Sequence, residues 1–276
     1  MNQKNVEKQI AHFLEEDIGF YDLTSTIMID ETAVGAFNMN AREPMVIAGI
    51  TIAKTVFEYY VPGVKVKMKV ADGDRVKKGA SLMTVSGKAR EILTAERVSL
   101  NLIQHLTGIA TMTAEYVKEI KGTNCQLLDT RKTTPGLRMM EKHAVVCGGA
   151  RNHRLGLDNG LMIKDNHIAV CGGLTAAIKR AKANVPALTK VEVECDRLDQ
   201  VKEALAAGAD VIMLDNMNLA TLRKAVKMVG GKVPLEASGG INLKTIKAIA
   251  ETGVDFVSVG RLTQSAPAVD IGLDEA

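Results

Sequence analysis

From residue 125 onward the sequence repeats one pattern, a short apolar segment followed by an amphipathic helical segment, and this repeat limits the folds open to the chain. Predicted helices separate the later apolar segments, and each ends in glycine, a residue that commonly ends helices. They are RLDQVKEALAAG (197–208), NLATLRKAVKMVGG (218–231) and NLKTIKAIAETG (242–253). Short apolar strands alternating with helices are typical of parallel βα units, so the repeat predicts either a barrel or a doubly wound sheet. The candidate strands are CQLLD (125–129), GLMIK (160–164), KVEVE (190–194), DVIMLD (210–215), VPLEA (233–237) and DFVSV (255–259).

Charged residues at the ends of these segments favour the barrel. They are Asp129, Lys164, Glu194, Asp215 and Glu236, and the last three follow one another at intervals of 21 residues. In a barrel of parallel strands the carboxyl ends converge on one rim, which is where active sites lie. We therefore expect these side chains to meet at that rim.

The first hundred residues follow a different pattern. The apolar residues of 6–14 recur at helical spacing, which predicts an opening helix, and VGAFNMNA (34–41) predicts a strand. In VKVKMKV (64–70) apolar residues alternate with lysines, which predicts a strand with one buried and one exposed face. A long helical stretch at about residues 90–120 is expected to join two domains.

The composition excludes several classes of function. The chain has 3% aromatic residues and no tryptophan, so recognition of nucleic acid by base stacking is not expected. A net charge of +3 is too small to indicate a nucleic-acid or membrane partner. Because the charged N-terminus has no hydrophobic signal core, and no window approaches 18 uninterrupted apolar residues, we expect a soluble cytoplasmic protein.

The four cysteines are spaced too widely for a C-x-x-C pair. They lie 22 to 24 residues apart, which favours reduced, mostly buried thiols over a zinc site or a disulfide framework. They are Cys125, Cys147, Cys171 and Cys195.

The most basic part of the chain is residues 131–167, with seven lysines and arginines against three acids. Lys164 ends one candidate strand, and Arg131 and Lys132 follow another, so all three are expected at the same rim. Clustered cations are costly to bury unless an anion compensates them, and arginine suits carboxylate or phosphate geometry. We infer that a small multivalent acid is the substrate. A solvated basic face and an RNA-binding surface are the alternatives.

Two further groups of residues belong to the predicted rim. The glycines in EASGGI (236–241) and SVGRL (258–262), after consecutive strands, predict a phosphate site. Glu194 and Asp215, on adjacent strands, are suited to holding Mg²⁺, to binding ribose hydroxyls or to stabilising positive charge on a sugar. Alternatively they are structural partners of Lys or Arg. A phosphate-binding isomerase or lyase would share the glycine loops, but it would not need so many cations.

Several motifs, in this order and spacing, resemble those of the quinolinate phosphoribosyltransferases. They are DTRKTTPGLR, GGARNHRLGLDNGLMIKDNH, VEVE, MLDN and EASGGI, and in the N-terminal half EDIGFYDLTS, AREPMVIAGI and DGDRVKKG with AERVSLNLIQHLTGIAT. The resemblance spans nearly the whole chain. Small departures are Tyr21, where the family often has glycine, and Asn159 and Gly160, where a Tyr-Asp pair and a small residue are more usual.

The resemblance implies an α/β fold, with an N-terminal α/β sandwich domain over residues 1–110 followed by an open, incomplete parallel α/β barrel over residues 111–276. The C-terminal tail can return to the first domain. It also implies a homodimer, or a higher oligomer, in which one subunit's N-terminal domain covers the barrel of its partner and supplies Arg97 to that site.

The resemblance also assigns roles to residues. Quinolinate would be held by Arg131, His153, Arg154 and Lys164, with Lys132 beside them and with Arg97 from the neighbouring subunit. Glu194 and Asp215 would lie near the ribose and Mg²⁺. The remaining predicted substrate-binding residues are Thr133, Ser238, Gly239, Gly240, Val259, Gly260 and Arg261.

The implied reaction is the Mg²⁺-dependent transfer of a phosphoribosyl group from phosphoribosyl pyrophosphate to quinolinate, with decarboxylation to nicotinate mononucleotide. The predicted catalytic residues are Lys132, Lys164, Glu194 and Asp215. Lys132, Lys164 or water would donate the proton that replaces the lost carboxylate, and His153 is expected to position the substrate.

Overall fold

The computed structural model describes residues 2–276. Its helices are α1 (Gln3–Ile18), α2 (Leu23–Met28), α3 (Ile50–Tyr60), α4 (Ala89–Glu119), α5 (Arg138–Cys147), α6 (Asp165–Val170), α7 (Leu174–Asn184), α8 (Leu198–Ala207), α9 (Leu219–Val229), α10 (Ile246–Ala250) and α11 (Arg261–Gln264). Its strands are β1 (Val34–Ala41), β2 (Met45–Val46), β3 (Lys65–Met68), β4 (Arg75–Val76), β5 (Ser81–Lys88), β6 (Gln126–Leu128), β7 (Leu161–Ile163), β8 (Val191–Cys195), β9 (Val211–Asp215), β10 (Leu235–Ser238), β11 (Phe256–Ser258) and β12 (Ile271–Glu275).

The chain folds into two compact units that each combine distant segments. The first contains the residues up to Ala114 together with Thr134–Gly149 and Ser265–Ala276, and the second contains Glu115–Thr133 and Ala150–Gln264. The predicted domain boundary after residue 110 stays a prediction.

A six-stranded parallel sheet forms the centre of the second unit. Its order is β6-β11-β10-β9-β8-β7, so the sheet is open between β6 and β7. Beyond β6, a single parallel bridge joins Leu128 to Arg151. All six predicted strands are confirmed, and the fold is the predicted open parallel α/β barrel.

Alternation along the strands separates the two faces of this sheet. In β8 the side chains of Val191 and Val193 are fully buried, whereas Glu192 and Glu194 occupy the opposite face. A strand with helices outside it and a ligand cavity inside it needs apolar residues at every second position only. This alternation is what frees the intervening positions for polar side chains.

The helices of the second unit begin and end where the sequence provides caps. Asn218 caps α9, because its side chain accepts a hydrogen bond from the N–H group of Thr221 at 2.9 Å. Gly208 and Gly230 end α8 and α9 in the left-handed conformation, with φ of 85° and 57°. The predicted helix over 242–253 is shorter than expected, because residues 242–245 form a turn before α10.

An antiparallel sheet of order β12-β1-β5-β3 forms the first unit together with α1, α3 and most of α4. Strand β1 covers the residues predicted for it, and α1 buries Val6, Ile10 and Leu14 as its spacing predicted. The last strand, β12, pairs with β1 along five positions, from Phe37 opposite Glu275 to Ala41 opposite Ile271.

The expected two-faced strand over residues 64–70 is only partly confirmed. Val66 is half-buried and Met68 is exposed, so the apolar face is not a buried one. These side chains are less buried than expected because β3 lies at the edge of its sheet, where β5 is its one neighbour among the described strands. Its lysines suit such an edge, since charge discourages pairing with another chain. Within residues 2–276, none of the helices combines the length and the apolar character needed to cross a membrane.

Candidate active site

A cavity of about 800 Å³ opens at the carboxyl ends of the parallel strands in the second unit. Polar side chains from every strand of the sheet or from the loop after it reach this cavity, as expected for the functional rim of such a barrel. Its lining is Thr130, Arg131, Lys132, His153, Arg154, Met162, Lys164, Glu194, Met213, Asp215, Asn216, Glu236, Ser238, Gly239, Gly240, Ile241, Asn242, Ser258, Val259, Gly260, Arg261 and Gln264.

The register of the sheet arranges the interior side chains in rows. Glu194 of β8 lies opposite Met213 of β9, and Met213 lies opposite Glu236 of β10. One row nearer the carboxyl ends, Asp215 lies opposite Ser238. Because residues two apart on a strand share a face, both rows line the cavity.

His153 is held beneath these rows by two buried carboxylates. Its Nε2 atom lies 3.1 Å from Glu192 Oε2 and 3.4 Å from Glu236 Oε2. Burial opposes a charge on this imidazole, but the two carboxylates outweigh it and raise the pKa of His153 to about 10. The N–H group of Arg154 donates to Nδ1 at 2.7 Å, so this contact favours the neutral ring with its proton on Nε2 and opposes the two carboxylates, which favour the charged imidazolium.

The backbone at His153 is fixed by Asp129, which follows β6 and is fully buried. One carboxylate oxygen of Asp129 accepts a hydrogen bond from the backbone N–H group of His153 at 2.8 Å. The other accepts one from the side-chain amide of Asn152 at 2.7 Å. Asp129 therefore supports the segment that carries His153 and Arg154 and does not line the cavity described for residues 2–276.

The cations reach the cavity but are not deeply buried, contrary to the simplest expectation. Lys132 is exposed, and Arg131, Arg154 and Lys164 are half-buried. Burial, and then the positive charge of Arg131, lower the pKa of Arg154, so these two guanidinium groups repel each other. The Nε atom of Arg131 is buried and has no hydrogen-bond partner among the described residues. A buried N–H donor of this kind needs an acceptor, and a bound anion can supply one.

Glu194 and Asp215 have different surroundings. Glu194 Oε2 lies 2.9 Å from Lys164 Nζ, so the predicted alternative of a structural ion pair across the rim does occur. Burial, and then the negative charge of Glu194, raise the pKa of Asp215. In the order of strands, these carboxylates lie between Lys164 and the loop after β10. Carboxylate oxygens that repel each other are suited to Mg²⁺, so the donor set fits the predicted ion.

The two glycine loops line the same cavity. Gly239 has φ of 96° and Gly240 has φ of 62°, which non-glycine residues rarely adopt. A Cβ atom on Gly239 would lie 2.2 Å from Asn216 Oδ1. A Cβ atom on Gly260 would lie 2.8 Å from the Lys132 side chain, so Gly260 leaves room for that lysine beside the second loop.

A second cavity, of about 550 Å³, lies toward the other end of the strands. Leu161 and Val211, each the first residue of its strand, line it together with Lys190, which precedes β8. His153, Arg154 and Glu236 line both cavities, so the group around His153 lies between the two openings.

The cavity brings together most of the predicted site residues. Two of them lie elsewhere: Thr133 is outside the lining described for residues 2–276, and Arg97 is an exposed residue of α4 in the first unit. The sequence patterns placed Glu236 at the rim without giving it a role, and they did not single out Glu192, Thr130, Asn216 or Asn242. The VEVE repeat contained the signal for Glu192, because residues 192 and 194 must share a face of the strand.

Models of two domains of one protein family match the chain. The model described as quinolinate phosphoribosyl transferase, N-terminal domain, matches residues 22–107, and the model of the C-terminal domain of the same family matches residues 109–274. Together they cover most of the sequence.

Individual proteins are similar over nearly their whole length. A Mycobacterium leprae protein named nicotinate-nucleotide pyrophosphorylase (carboxylating) is 42% identical over 271 residues, covering 96% of this chain and 95% of that protein. The solved nicotinate-nucleotide pyrophosphorylase of Francisella tularensis is 39% identical, with a TM-score of 0.96 over 100% of this chain and 98% of that one. The enzyme of the same name from Ehrlichia chaffeensis is 41% identical, with a TM-score of 0.92 over 98% of each chain.

Proposed function

The chain belongs to the quinolinate phosphoribosyl transferase family, and on that premise we propose that it converts quinolinate and phosphoribosyl pyrophosphate to nicotinate mononucleotide, pyrophosphate and CO₂. This is a step of de novo NAD biosynthesis. The observation that carries the proposal is that one cavity joins a group of cations to two glycine loops, with Glu194 and Asp215 between Lys164 and the first loop.

Quinolinate binds through its two carboxylates to the cationic side of the cavity. Arg131 and Arg154 repel each other, and the buried Nε atom of Arg131 needs a hydrogen-bond acceptor. A dicarboxylate would offset the repulsion between the two guanidinium groups and would provide the missing acceptor. Guanidinium groups bind carboxylates through paired hydrogen bonds. His153, held by Glu192 and Glu236, fixes the position of Arg154 next to it along the chain and serves as a positioning residue.

Phosphoribosyl pyrophosphate binds on the side of the cavity opposite the quinolinate-binding cations. Its 5′-phosphate lies at the loops that contain Ser238, Gly239, Gly240 and Gly260. Close approach of backbone N–H groups to phosphate requires residues without a Cβ atom. Glu194 and Asp215 would hold Mg²⁺, which supplies neutralising charge to the pyrophosphate leaving group. The predicted contacts of Val259 and Arg261, which line the same cavity, belong to this part of the proposal, whereas Thr133 lies outside the lining.

Bond exchange at the ribose comes first. The C1–O bond to pyrophosphate breaks, and the ring nitrogen of quinolinate supplies the electron pair for the new C–N bond. Positive charge that develops on the ribose is stabilised by the carboxylates of Glu194 and Asp215. Holding both anionic substrates in one cavity removes the entropic cost of bringing them together.

Decarboxylation follows because the new pyridinium ring accepts electrons. The bond between the ring and the 2-carboxylate breaks, CO₂ leaves, and the electron pair remains on the ring carbon until a proton replaces the carboxylate. Lys132, beside Gly260, and Lys164, paired with Glu194, are the two amines in the cavity that are placed to donate it, and water is the alternative.

We extend the proposal to a homodimer in which Arg97 completes the cavity of the neighbouring subunit. Arg97 lies one turn after Thr94, whose hydroxyl group donates to Asp22 at the start of α2. Beside this helix face, the first unit exposes a group of large apolar side chains, which suits burial against a second copy. They are Phe20, Tyr21, Leu23, Ile27 and Met28. A cytoplasmic location is part of the same proposal, and it is supported by four cysteines that are all free.

The experiment that tests the reaction follows CO₂ released from quinolinate labelled in its 2-carboxylate. The protein is incubated with Mg²⁺, with and without phosphoribosyl pyrophosphate, and nicotinate is tested separately as an acceptor. Release that requires phosphoribosyl pyrophosphate, with formation of nicotinate mononucleotide, is expected. Ribosylation of nicotinate without use of quinolinate would leave the phosphate site intact and refute the assignment of the cations.

A further inference from the structure

The first unit contains a second group of chemically reactive side chains, at the end of α5. His143 and Cys147 lie one helical turn apart and therefore share a face of the helix. Asp72, in the loop between β3 and β4, faces them. His143 Nε2 lies 2.7 Å from Asp72 Oδ2 and 3.5 Å from Cys147 Sγ, and ligand atoms of all three residues lie within 4.8 Å of one another.

We propose that Asp72, His143 and Cys147 form a binding site for zinc, with water as the fourth ligand. One thiolate, one imidazole and one carboxylate form a donor set that zinc accepts, whereas Mg²⁺ and Ca²⁺ avoid sulfur ligands. A thiolate and a carboxylate also balance the charge of a divalent ion. This site goes beyond the proposed reaction, because the three residues lie in the first unit and the catalytic cavity is lined by the second.

The ligand atoms are already close to the required geometry. Zinc ligands lie about 2.0–2.3 Å from the ion, so that in a tetrahedral site they lie roughly 3.3–3.7 Å from one another. The distance between Cys147 Sγ and His143 Nε2 is within that range. The contact between His143 and Asp72 is shorter, as expected when a proton holds the position of the ion, and it must open by less than about 1 Å.

The loop that carries Asp72 is fixed independently of His143. Asp72 Oδ1 accepts the N–H group of Ile50 at 3.0 Å, at the start of α3, so only Oδ2 is directed to the helix. Gly73 donates to the carbonyl oxygen of Ile47 at 2.8 Å, which holds the turn. A site whose ligands are held by other contacts loses little entropy when the ion binds.

The exposure of the group allows an ion to enter. The side chain of His143 is 34% exposed and that of Asp72 is 16% exposed, and Cys147 is half-buried. Asp72 and Cys147 both face the imidazole of His143, and a bound zinc ion would take the place of the proton that these groups now share.

The test measures zinc and cobalt binding by the full-length protein. After treatment with a chelator and dialysis against zinc, the wild-type protein is expected to retain one ion per chain by elemental analysis. With Co²⁺, the wild-type protein should show a thiolate-to-cobalt charge-transfer band. The variants Cys147→Ser and His143→Asn should lose both signals, and Asp72→Asn should bind at least tenfold more weakly.

The matched control is Cys171→Ser, which removes a thiol of similar exposure that has no such neighbours among the described residues. It should keep the zinc, the cobalt band and a zinc-dependent rise in melting temperature, which follows when an ion binds only the folded state. Retention of the ion in the Cys147→Ser and His143→Asn variants would overturn the proposal. Absence of zinc from the folded wild-type protein would do the same.

Discussion

Lys164 and Glu194 form an ion pair at 2.9 Å between the residue that follows β7 and the neighbouring strand β8. This pair connects the cationic part of the cavity to the carboxylates assigned to the ribose. In the proposed reaction, Lys164 would contact quinolinate directly and Glu194 would contact the ribose directly, and each would also influence the other substrate through the ion pair.

The first prediction concerns this pair. Glu194→Gln should lower kcat about 100-fold or more, the scale of one lost preorganised electrostatic contact, and should also raise the KM for quinolinate because Lys164 loses its anchor. Steady-state kinetics with each substrate varied in turn provides the measurement. Glu251→Gln, on the exposed end of α10, is the control for loss of a negative charge and should behave as the wild type. An unchanged kcat in Glu194→Gln would remove this residue from the catalytic set.

The second prediction concerns quinolinate recognition. Arg154→Ala should raise the KM for quinolinate by roughly 10- to 100-fold, because a hydrogen bond to a charged group is worth about 1.5–3 kcal/mol. The KM for phosphoribosyl pyrophosphate should change much less. Arg180→Ala, an exposed arginine of α7, tests whether loss of any positive charge has the same effect. Equal effects of the two substitutions would contradict a specific role for Arg154.

The third prediction is a dependence of stability on pH. The pKa of His153 is raised to about 10 in the folded protein from an unfolded value of 6.5, so its contribution to stability is complete below about pH 6.5 and is lost as the pH rises toward 10. The free energy of unfolding of the wild-type protein, relative to His153→Asn, should fall by more than about 1 kcal/mol across that range. Denaturant unfolding at several pH values measures it. A constant difference between the two proteins would show that the protonation of His153 is the same in both states.

The fourth prediction concerns the phosphate loop. Gly239→Ala places a Cβ atom against Asn216 in a backbone conformation with φ of 96°, so binding of phosphoribosyl pyrophosphate should be lost or severely weakened. Gly172→Ala is the matched control, because Gly172 has φ of 80° but no atom within 4 Å of the added Cβ. Both variants should lose about 1 kcal/mol of stability from backbone strain, and Gly239→Ala should lose more because Asn216 must also move. Isothermal titration with phosphoribosyl pyrophosphate should detect a binding defect in Gly239→Ala alone.

The fifth prediction tests the shared site. Arg97→Ala and Arg154→Ala proteins are each expected to be nearly inactive at low quinolinate concentration. If Arg97 acts on the neighbouring subunit, unfolding and refolding the two variants together should restore about a quarter of the wild-type activity, because half of the random dimers contain one intact site of two. If both arginines serve the same chain, mixing will restore nothing.

The strands of the parallel sheet, and the rim formed by their carboxyl ends, could be predicted because both are indicated by residues that are adjacent in the sequence. Strand boundaries followed the apolar segments, and Glu194 and Asp215 were found from their positions at strand ends. The carboxylates around His153 were not predicted, since Glu236 was expected at a strand end and lies second in its strand, one row below. How far below the rim a side chain lies depends on the register between neighbouring strands, which a single sequence does not reveal.

The cysteines illustrate the same limit. Their spacing did not predict a zinc site, because the spacing rule applies only to cysteines that lie close together in the chain. Cys147 instead lies near a histidine one turn before it and an aspartate that is 75 positions away in the chain. The relevant proximity arises from folding, so no spacing rule contains it.

Strand β12 has a consequence for the order of events during synthesis. It is formed by residues 271–275 and pairs along β1, whose residues leave the ribosome more than 200 positions earlier. Until β12 has been translated, β1 has an unpaired edge, which is a template for association with other chains. The second unit, by contrast, can pair its strands once residue 258 has emerged. The N-terminal unit is therefore the last part of this protein to complete its sheet, and nascent chains should depend on chaperones at that edge.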